Sequence, residues 1–269
     1  FKRGVGLGEI MLAFEGITKI FNQGTQDEKR ALNQIDLEVD AGDFITIIGS
    51  NGAGKSTLLN VIAGTYQPEE GRLIIDQQDV TKTPDYKMAA YISRVFQSPT
   101  MGTAGEMTIA ENLSLADCRG QRRGLKWGVT RARKKRYGEL LKVLELGLED
   151  RLNQSVGLLS GGQRQSLTLL MATLSLPKLL LLDEHTAALD PRTAAKVSEL
   201  TNRMVKENNL TTLMVTHNMK QAIRCGNRMI MLHEGKVQFD IEGKDKENLT
   251  VEEVVKRFGA KLKDESLLS

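Results

Sequence analysis

The feature that most constrains this chain is a glycine-rich loop between a short apolar segment and a helical pattern. Residues 49–57 read GSNGAGKST, which has the form G-x-x-x-x-G-K-[ST]. In such a loop the backbone N–H groups turn inward around a polyphosphate, and the lysine neutralises charge. Residues 44–48 predict a buried strand, and residues 56–63 have helical spacing. The order strand, loop, helix favours a phosphate site over a simple glycine-rich turn, because a helix N-terminus attracts anions.

Length and composition exclude several classes of protein. With 269 residues and 40% hydrophobic content, the chain can form one large domain, or a domain with an inserted subdomain. No run approaches the ~20 apolar residues that span a bilayer. Two cysteines, Cys118 and Cys225, fit a reducing cytoplasm. Residues 1–10 lack the apolar centre of a secretory leader, so we expect an upstream extension or expression remnant before a natural start at Met11.

The positive charge is concentrated in one segment. Residues 118–138 hold nine Lys or Arg and no acid, so the rest of the chain is net negative. Trp127 and Tyr137 within this segment would suit nucleic acid. Anionic lipid headgroups would attract the same charge, and a solvated surface without a partner is the third interpretation.

Polar residues follow several predicted strands at their carboxyl ends. Residues 72–76 alternate after a turn at 69–71, and residues 91–96 form a strand that ends before Gln97. Residues 179–184, LLLLDE, predict a fully buried parallel strand that ends in Asp183 and Glu184, and residues 210–216 lead to His217. Ligands bind beyond the carboxyl ends of parallel strands, so we expect Gly49, Gln97, Asp183 and His217 to converge. Taken alone, Gln97 could cap a strand, Asp183 could be a solvated acid, and His217 could be a core histidine without a functional role.

Phosphoryl transfer to water requires charge neutralisation, a metal ion that bridges phosphates, and a positioned nucleophile. We assign Lys55 to charge neutralisation, the Ser56 hydroxyl to Mg²⁺ and Thr57 to the α-phosphate. Asp183 would hold the metal shell, directly or through water. These residues predict an ATP and Mg²⁺ site.

The remaining polar residues suit the hydrolytic step. Glu184 is the candidate general base or water orienter. Gln97 can bond to both the metal shell and the water, and His217 can donate to the γ-phosphate or act beside Glu184. The predicted catalytic set is therefore Glu184, His217, Gln97 and Lys55.

Residues 107–159 lack strand patterning and predict a helical insertion, with helical spacing at 137–146. The string LSGGQRQ follows at residues 159–165 and begins another helical pattern. Residues 229–239 predict two strands joined at Glu234 and Gly235. Thr250 and Glu253 have the spacing of a capping box before the helical pattern VEEVVKRFGAKL.

The ordered set of GSNGAGKST, Gln97, LSGGQRQ, LLLLDE, the residues 188–190 (ALD) and His217 resembles the ATP-binding subunit of an ATP-binding cassette (ABC) transporter, from about residue 11 to 238. This resemblance implies an α/β fold: a RecA-like P-loop NTPase core with a mainly parallel sheet, an N-terminal antiparallel β-subdomain and an inserted helical subdomain. We expect an ATPase domain at 11–240, its helical insertion at about 98–165, and a C-terminal helical extension at 241–269.

The resemblance also implies a head-to-tail dimer in which LSGGQ of one subunit closes over ATP held by the other. Ser160 and the amides of Gly161 and Gly162 would present a second helix N-terminus to phosphate. Asp190 would lie across the dimer seam. Phe21 would stack on adenine, although a core role is equally plausible for it alone. The nucleotide-binding residues implied in this way are Phe21, Gly49, Ser50, Asn51, Gly52, Ala53, Gly54, Lys55, Ser56, Thr57, Ser160, Gly161, Gly162, Gln163 and Asp190.

His185 stands where many members of this family have proline. The string EHTAALDP resembles ATPases of a little-characterised group of bacterial importers associated with small organic solutes such as aromatic amino acids. The expected partners are a multi-span permease, a second ATPase subunit of the same sequence and, indirectly, a solute-binding protein, with no nucleic acid. The expected location is the cytoplasmic face of the cell membrane, held there by the permease.

Two other function classes share the ATPase motifs. One is a soluble ABC-type ATPase in iron–sulfur cluster assembly. The other is a nucleic-acid-associated ATPase, which the basic segment at residues 118–138 favours. The single cassette and the glutamines that flank Arg164 resemble transport ATPases more than they resemble either of these two classes. Transport is therefore the favoured interpretation, and the solute, its direction and the identity of the second ATPase stay open.

Overall fold

The computed structural model describes residues 9–120 and 127–258. An antiparallel sheet lies at the N-terminal side of the chain, in the order β2-β1-β4-β5. Its strands are β1 (Ile10–Phe21), β2 (Lys29–Asp40), β4 (Glu70–Ile75) and β5 (Gln78–Asp79). On β2, Ile35, Leu37 and Val39 are buried while Asp36 and Glu38 are exposed, because successive side chains point to opposite faces. The antiparallel subdomain implied by the resemblance is therefore present.

A second sheet has six strands in the order β10-β9-β3-β8-β7-β6. They are β3 (Phe44–Ile48), β6 (Ile92–Val95), β7 (Leu179–Asp183), β8 (Thr212–Val215), β9 (Arg228–His233) and β10 (Lys236–Glu242). All neighbouring pairs are parallel except β9 and β10. The predicted strands are confirmed, and so is the α/β class. The predicted turn at 69–71 is partly wrong, because β4 already begins at Glu70.

The six-stranded sheet is covered on both faces, which explains its continuous apolar strands. Leu179 and Leu181 pack into the core shared with the antiparallel sheet and α1 (Lys55–Ile62). Leu180 and Leu182 pack into a second core on the other face, to which the helices between β6 and β7 contribute. A strand buried on both faces has no polar alternation.

The helices between β6 and β7 are α3 (Ile109–Asp117), α4 (Arg131–Lys142) and α5 (Gly161–Thr173), with a 3₁₀ turn at Val156–Leu158. The predicted helix at 137–146 is wrong at its end. Glu145 and Gly147 have φ of 55° and 65°, and the chain turns there after α4. Residues 121–126 of the basic segment lie outside the described residues.

The other helices are α2 (Asp85–Met88), α6 (Pro191–Glu207), α7 (Met219–Arg224), α8 (Gly243–Glu247) and α9 (Val251–Phe258). The predicted capping box before α9 is confirmed: the Thr250 hydroxyl accepts from the Glu253 N–H, and the Glu253 carboxylate accepts from the Thr250 N–H. The rest of that helical pattern, residues 259–262, lies outside the described residues, as do residues 1–8. Within the described ranges, no helix has the length and apolar content needed to cross a bilayer.

Candidate nucleotide site

The glycine-rich loop joins β3 to α1 and has no room for side chains at two of its glycines. A Cβ on Gly49 would lie 2.2 Å from the carbonyl oxygen of Leu232, and one on Gly54 would lie 2.5 Å from that of Ala31. Gly54 also has φ of 105°, a conformation that L-residues with side chains rarely adopt. The loop is therefore held against two strands, with its backbone curled at the start of α1.

Lys55 is the first residue of α1, and only 6% of it is exposed. Its Nζ donates to the carbonyl oxygens of Gly49 and Ser50, at 2.6 and 3.0 Å. These bonds close the loop around the ammonium group. A buried positive charge and the amides at the start of a helix thus lie at one point, which suits a polyphosphate.

A cavity of about 180 Å³ opens beside this loop. Its lining residues are Phe21, Lys29, Ala31, Asn51, Gly52, Gly54, Lys55, Ser56, Thr57, Glu184 and His217. The Phe21 ring meets Tyr66 edge to face, with centroids 5.3 Å apart, and Lys19 Nζ lies 5.5 Å from its centroid. The structure thus brings Phe21, at the end of β1, to the same cavity as the phosphate loop.

Glu184 and His217 meet at this cavity from neighbouring strands. His217 Nε2 contacts the Glu184 carboxylate, and these side chains are 27% and 13% exposed, respectively. Glu184 has φ of 48°, a left-handed conformation that is costly without glycine. Its N–H donates to the Val215 carbonyl at 3.0 Å, which holds it there. His217 Nδ1 is buried and has no hydrogen-bond partner among the described residues.

Gln97 and Asp183 lie at the same edge of the sheet, but the structure does not place them in the cavity lining. Gly49 is not a lining residue either, so of the four strand-end residues only His217 lines the cavity, and their convergence on one nucleotide stays a prediction. Asp183 instead pairs with Arg94 of β6 at 2.5 Å. Arg94 also donates to the Asn60 side chain of α1 at 2.6 Å, and its guanidinium lies 4.8 Å from the Phe96 ring.

Sequence reasoning missed Arg94. Arg94 could have been found as the one charged residue of the strand Ile92–Val95, whose other residues are buried. A charged side chain at such a position needs a partner. Leu181 lies opposite Arg94 in the parallel register. Asp183, two residues further along β7, shares the face of Leu181.

The LSGGQ residues do not line the cavity of their own chain. Ser160 caps α5, and Gln163 completes a capping box with it. A Cβ on Gly162 would lie 2.2 Å from Thr193 Cγ2 of α6, so this glycine lets the two helix starts approach. Gln165, which is fully buried, donates to the Phe96 carbonyl at 3.1 Å. The helix that carries LSGGQ is therefore tied to the residue before Gln97.

Asp190 and His185 hold the segment between β7 and α6. Asp190 caps α6 by accepting from the Thr193 N–H at 3.1 Å. The Thr193 hydroxyl and backbone lower the pKa of this carboxyl. His185 is 1% exposed and contacts Thr201 Oγ1 at 3.0 Å. Burial lowers the pKa of His185 to about 4, so the imidazole is neutral at pH 7.

The donor groups near the loop suit some metals and not others. No group of three His, Cys, Asp or Glu able to hold a metal ion occurs in the described ranges. The Ser56 hydroxyl, the Gln97 amide and the Asp183 carboxylate offer hard oxygen donors. Mg²⁺ is commonly held by one or two carboxylates together with substrate phosphates and water, so the residues present fit that ion better than a transition metal.

Comparisons with known proteins agree on one family. The family pattern described as ABC transporter matches residues 32–187. The chain is 46% identical over 248 residues to the Tyrosine transport ATP-binding protein of Clostridioides difficile (strain R20291), which covers 92% of this chain and 98% of that protein. It is 35% identical over 227 residues to the Glycine betaine/carnitine/choline transport ATP-binding protein OpuCA of Bacillus subtilis (strain 168), covering 84% of this chain and 56% of that protein. The chain thus spans nearly all of the first relative and about half of the second.

Solved structures give the same result. One is a dimeric post-hydrolysis state of an ATP-binding cassette bound to ADP and Pi, with 32% identity, a TM-score of 0.72, and coverage of 86% of this chain and 98% of that chain. Another is the ADP conformation of an ATP-binding cassette of an ABC transporter, with 26% identity, a TM-score of 0.76, and coverage of 94% of this chain and 99% of that chain.

Proposed function

The chain belongs to the ABC transporter family as an ATP-binding subunit of the importer type, and from that premise we propose that it drives a separate multi-span permease. It is an ATPase. The observation that carries the proposal is the joint presence of the phosphate-loop cavity and an LSGGQ helix start outside that cavity. A soluble role in iron–sulfur assembly or on nucleic acid is not favoured, because the relatives named above are transport subunits.

The proposed solute is an aromatic amino acid, with tyrosine as the first candidate. The support is the identity of 46%, over 98% of its length, to a protein named for tyrosine transport. The residues 184–191 also resemble those of importer ATPases linked to such solutes. The solute itself would bind to the permease and to a solute-binding protein, which this chain would reach only through the permease.

In the proposed site, the loop amides and Lys55 bind the triphosphate, and Thr57 contacts the α-phosphate. Phe21 stacks on adenine, and its edge-to-face contact with Tyr66 holds the ring in place. Ser56, Gln97 and Asp183 would hold Mg²⁺, and the ion would supply charge neutralisation of the phosphates.

We assign the hydrolytic step to Glu184 and His217. Glu184 orients a water molecule and accepts its proton at a carboxylate oxygen. His217 Nε2 bonds to the same carboxylate, which fixes the rotamer of Glu184. His217 can also donate to the γ-phosphate. The left-handed backbone at Glu184 directs the side chain to the cavity rather than along the strand.

The site is proposed to be completed by a second copy of the chain. Ser160, Gly161, Gly162 and Gln163 of one subunit would close over the nucleotide of the other, with Asp190 at the seam between them. Capping leaves the first amides of α5 at the helix start, where an anion is stabilised. The closed dimer would form with ATP and open after hydrolysis, and this cycle would move the permease.

The proposed location is the cytoplasmic face of the cell membrane, through contact with the permease. Residues 98–115 would form the groove that receives a permease helix. This segment starts next to Gln97 and is fastened to α5 by the bond from Arg164 Nε to Thr103 Oγ1, at 2.6 Å. A shift of the docked helix would then reach both Gln97 and the LSGGQ helix.

Copurification tests the transport role. The tagged Glu184→Gln variant would be isolated from its native cells in mild detergent with ATP, and its companions identified by mass spectrometry. Recovery of a multi-span permease supports the proposal, and uptake of labelled tyrosine by cells with and without that permease then tests the solute. Recovery of iron–sulfur assembly proteins or nucleic acid in place of a permease would overturn the transport role while leaving the ATPase intact.

A further inference from the structure

A second lysine lies at the nucleotide cavity, and none of the motifs above includes it. Lys29 is the first residue of β2, and its side chain lines the cavity together with Phe21 and Gly52. In the antiparallel register, Lys29 is the direct partner of Phe21. Its Nζ lies 3.4 Å from the position that a Cβ on Gly52 would occupy. The ammonium group therefore lies beside the phosphate loop, on the residue that pairs with Phe21.

Lys29 differs from the other two lysines near this cavity. Lys19 forms an ion pair with Glu69 at 2.6 Å, and Lys55 donates to carbonyls of its own loop. Among the residues that the structure describes, no hydrogen bond or ion pair holds the Lys29 ammonium group. The side chain is exposed, so its charge stays hydrated and costs little to keep beside the cavity.

The position of Lys29 indicates which part of a nucleotide it meets. A nucleotide whose base stacks on Phe21 and whose outer phosphates lie at Lys55 must pass its ribose and first phosphate between these two residues. Lys29 lines the cavity along that span, since it pairs with Phe21 in the sheet and its ammonium group lies beside Gly52 of the loop. Lysine carries three donors on a flexible stem and acts on phosphate as a point charge.

We propose that Lys29 is a nucleotide-binding residue that pairs with the phosphate oxygens nearest the ribose. The proposal rests on the nucleotide site alone and not on the permease or the solute. Because the first phosphate is common to ATP and ADP, Lys29 contributes to the binding of both. It provides affinity through charge and does not recognise the base.

The expected effect is moderate, because Lys29 is exposed and water screens its charge. Replacement of Lys29 by methionine, which keeps an unbranched stem and removes the charge, should weaken ATP binding about threefold to tenfold. ADP binding should weaken by a similar factor. Adenosine has no phosphate, so its weaker binding should not change.

The test measures binding of ATP, ADP and adenosine in EDTA, which removes Mg²⁺ and prevents hydrolysis. The variants are Lys29→Met, Lys29→Arg and, as a matched control on an exposed lysine outside the cavity lining, Lys236→Met. The proposal expects Lys29→Arg and Lys236→Met to bind ATP as the wild type does. Thermal unfolding of each nucleotide-free variant shows whether the fold itself has changed.

Three outcomes would overturn the proposal. They are unchanged ATP affinity in Lys29→Met, an equal loss of affinity for adenosine, and a loss of ATP affinity that is matched by a lower melting temperature without nucleotide. Failure of the wild-type chain to bind ATP in the same assay is a different result, since it would refute the nucleotide site and not the role of Lys29.

Discussion

Replacement of Arg94 by methionine should destabilise the protein strongly, because it leaves Asp183 without its cation. The side chains of this pair are only 15% and 16% exposed. Removal of one partner from a buried pair costs about 3–5 kcal/mol. Because one edge of the pair reaches solvent, we expect about 3 kcal/mol, including about 1 kcal/mol for the lost bond to Asn60. For a chain of this size that corresponds to a melting temperature lower by roughly 5–10 °C.

The assay is calorimetric or fluorescence-monitored thermal unfolding without nucleotide. A double-mutant cycle with Arg94→Met and Asp183→Asn separates the interaction energy of the pair from the effect of each single replacement. Arg72→Met is the matched control, since Arg72 pairs with Glu15 at 2.6 Å but the side chains are 64% and 46% exposed. It should cost less than about 1 kcal/mol. The reasoning is refuted if Arg94→Met lowers the melting temperature no more than Arg72→Met, or if the two changes in the cycle are simply additive.

Three further predictions concern the site and its support. Glu184→Gln should retain ATP binding and lose hydrolysis by about 10²-fold or more, measured by nucleotide titration and phosphate release; undiminished turnover would remove Glu184 from its role. Gly54→Ala should abolish ATP binding because its Cβ would meet a backbone oxygen at 2.5 Å, whereas Gly24→Ala, which has a similar positive φ of 78° but nothing within 4 Å of its Cβ, should strain only its own exposed turn and bind ATP normally; normal ATP binding by Gly54→Ala would show that the phosphate loop can shift to admit the methyl group. Burial lowers the pKa of Lys246 to about 8 from 10.5, so the unfolded chain holds the proton more tightly and stability should rise between about pH 8 and 10.5; denaturant unfolding of Lys246→Met should lose this rise, and an identical pH profile would contradict it.

The motif-bearing strands could be predicted from the sequence because each is short, apolar and followed by a polar signal. The segment Leu179–Asp183 shows no alternation, and the structure buries it on both faces. The strand order then places Gly49, Gln97, Asp183 and His217 at one edge, as parallel connections require. Pattern and topology are sufficient for that part of the site.

Contacts between distant segments could not be predicted in this way. The Arg94–Asp183 pair joins residues 89 positions apart, and Gln165 reaches Phe96 across 69 positions. Neither pair has a fixed spacing that a local pattern could reveal. The left-handed backbone of Glu184 is likewise imposed by its bond to Val215 and not by a local preference for glycine.

The LSGGQ residues lie away from the cavity of their own chain, and this separation bears on the proposed dimer. Gly161 and the cavity lie in the same subunit without meeting, so the proposed site needs a second copy. Gly161 allows a direct test, because an added Cβ there makes only an ordinary contact, 3.5 Å from Leu189. Aspartate at the start of a helix is favourable for the fold, yet it would repel a phosphate bound by the other subunit.

The most direct measurement is sedimentation velocity of the Glu184→Gln variant with and without ATP. We predict a monomer without nucleotide and a dimer with ATP, and a monomer in both conditions for the double variant Glu184→Gln, Gly161→Asp, which should still bind ATP. A monomer of Glu184→Gln at saturating ATP, or a dimer that Gly161→Asp leaves unchanged, would contradict the head-to-tail site.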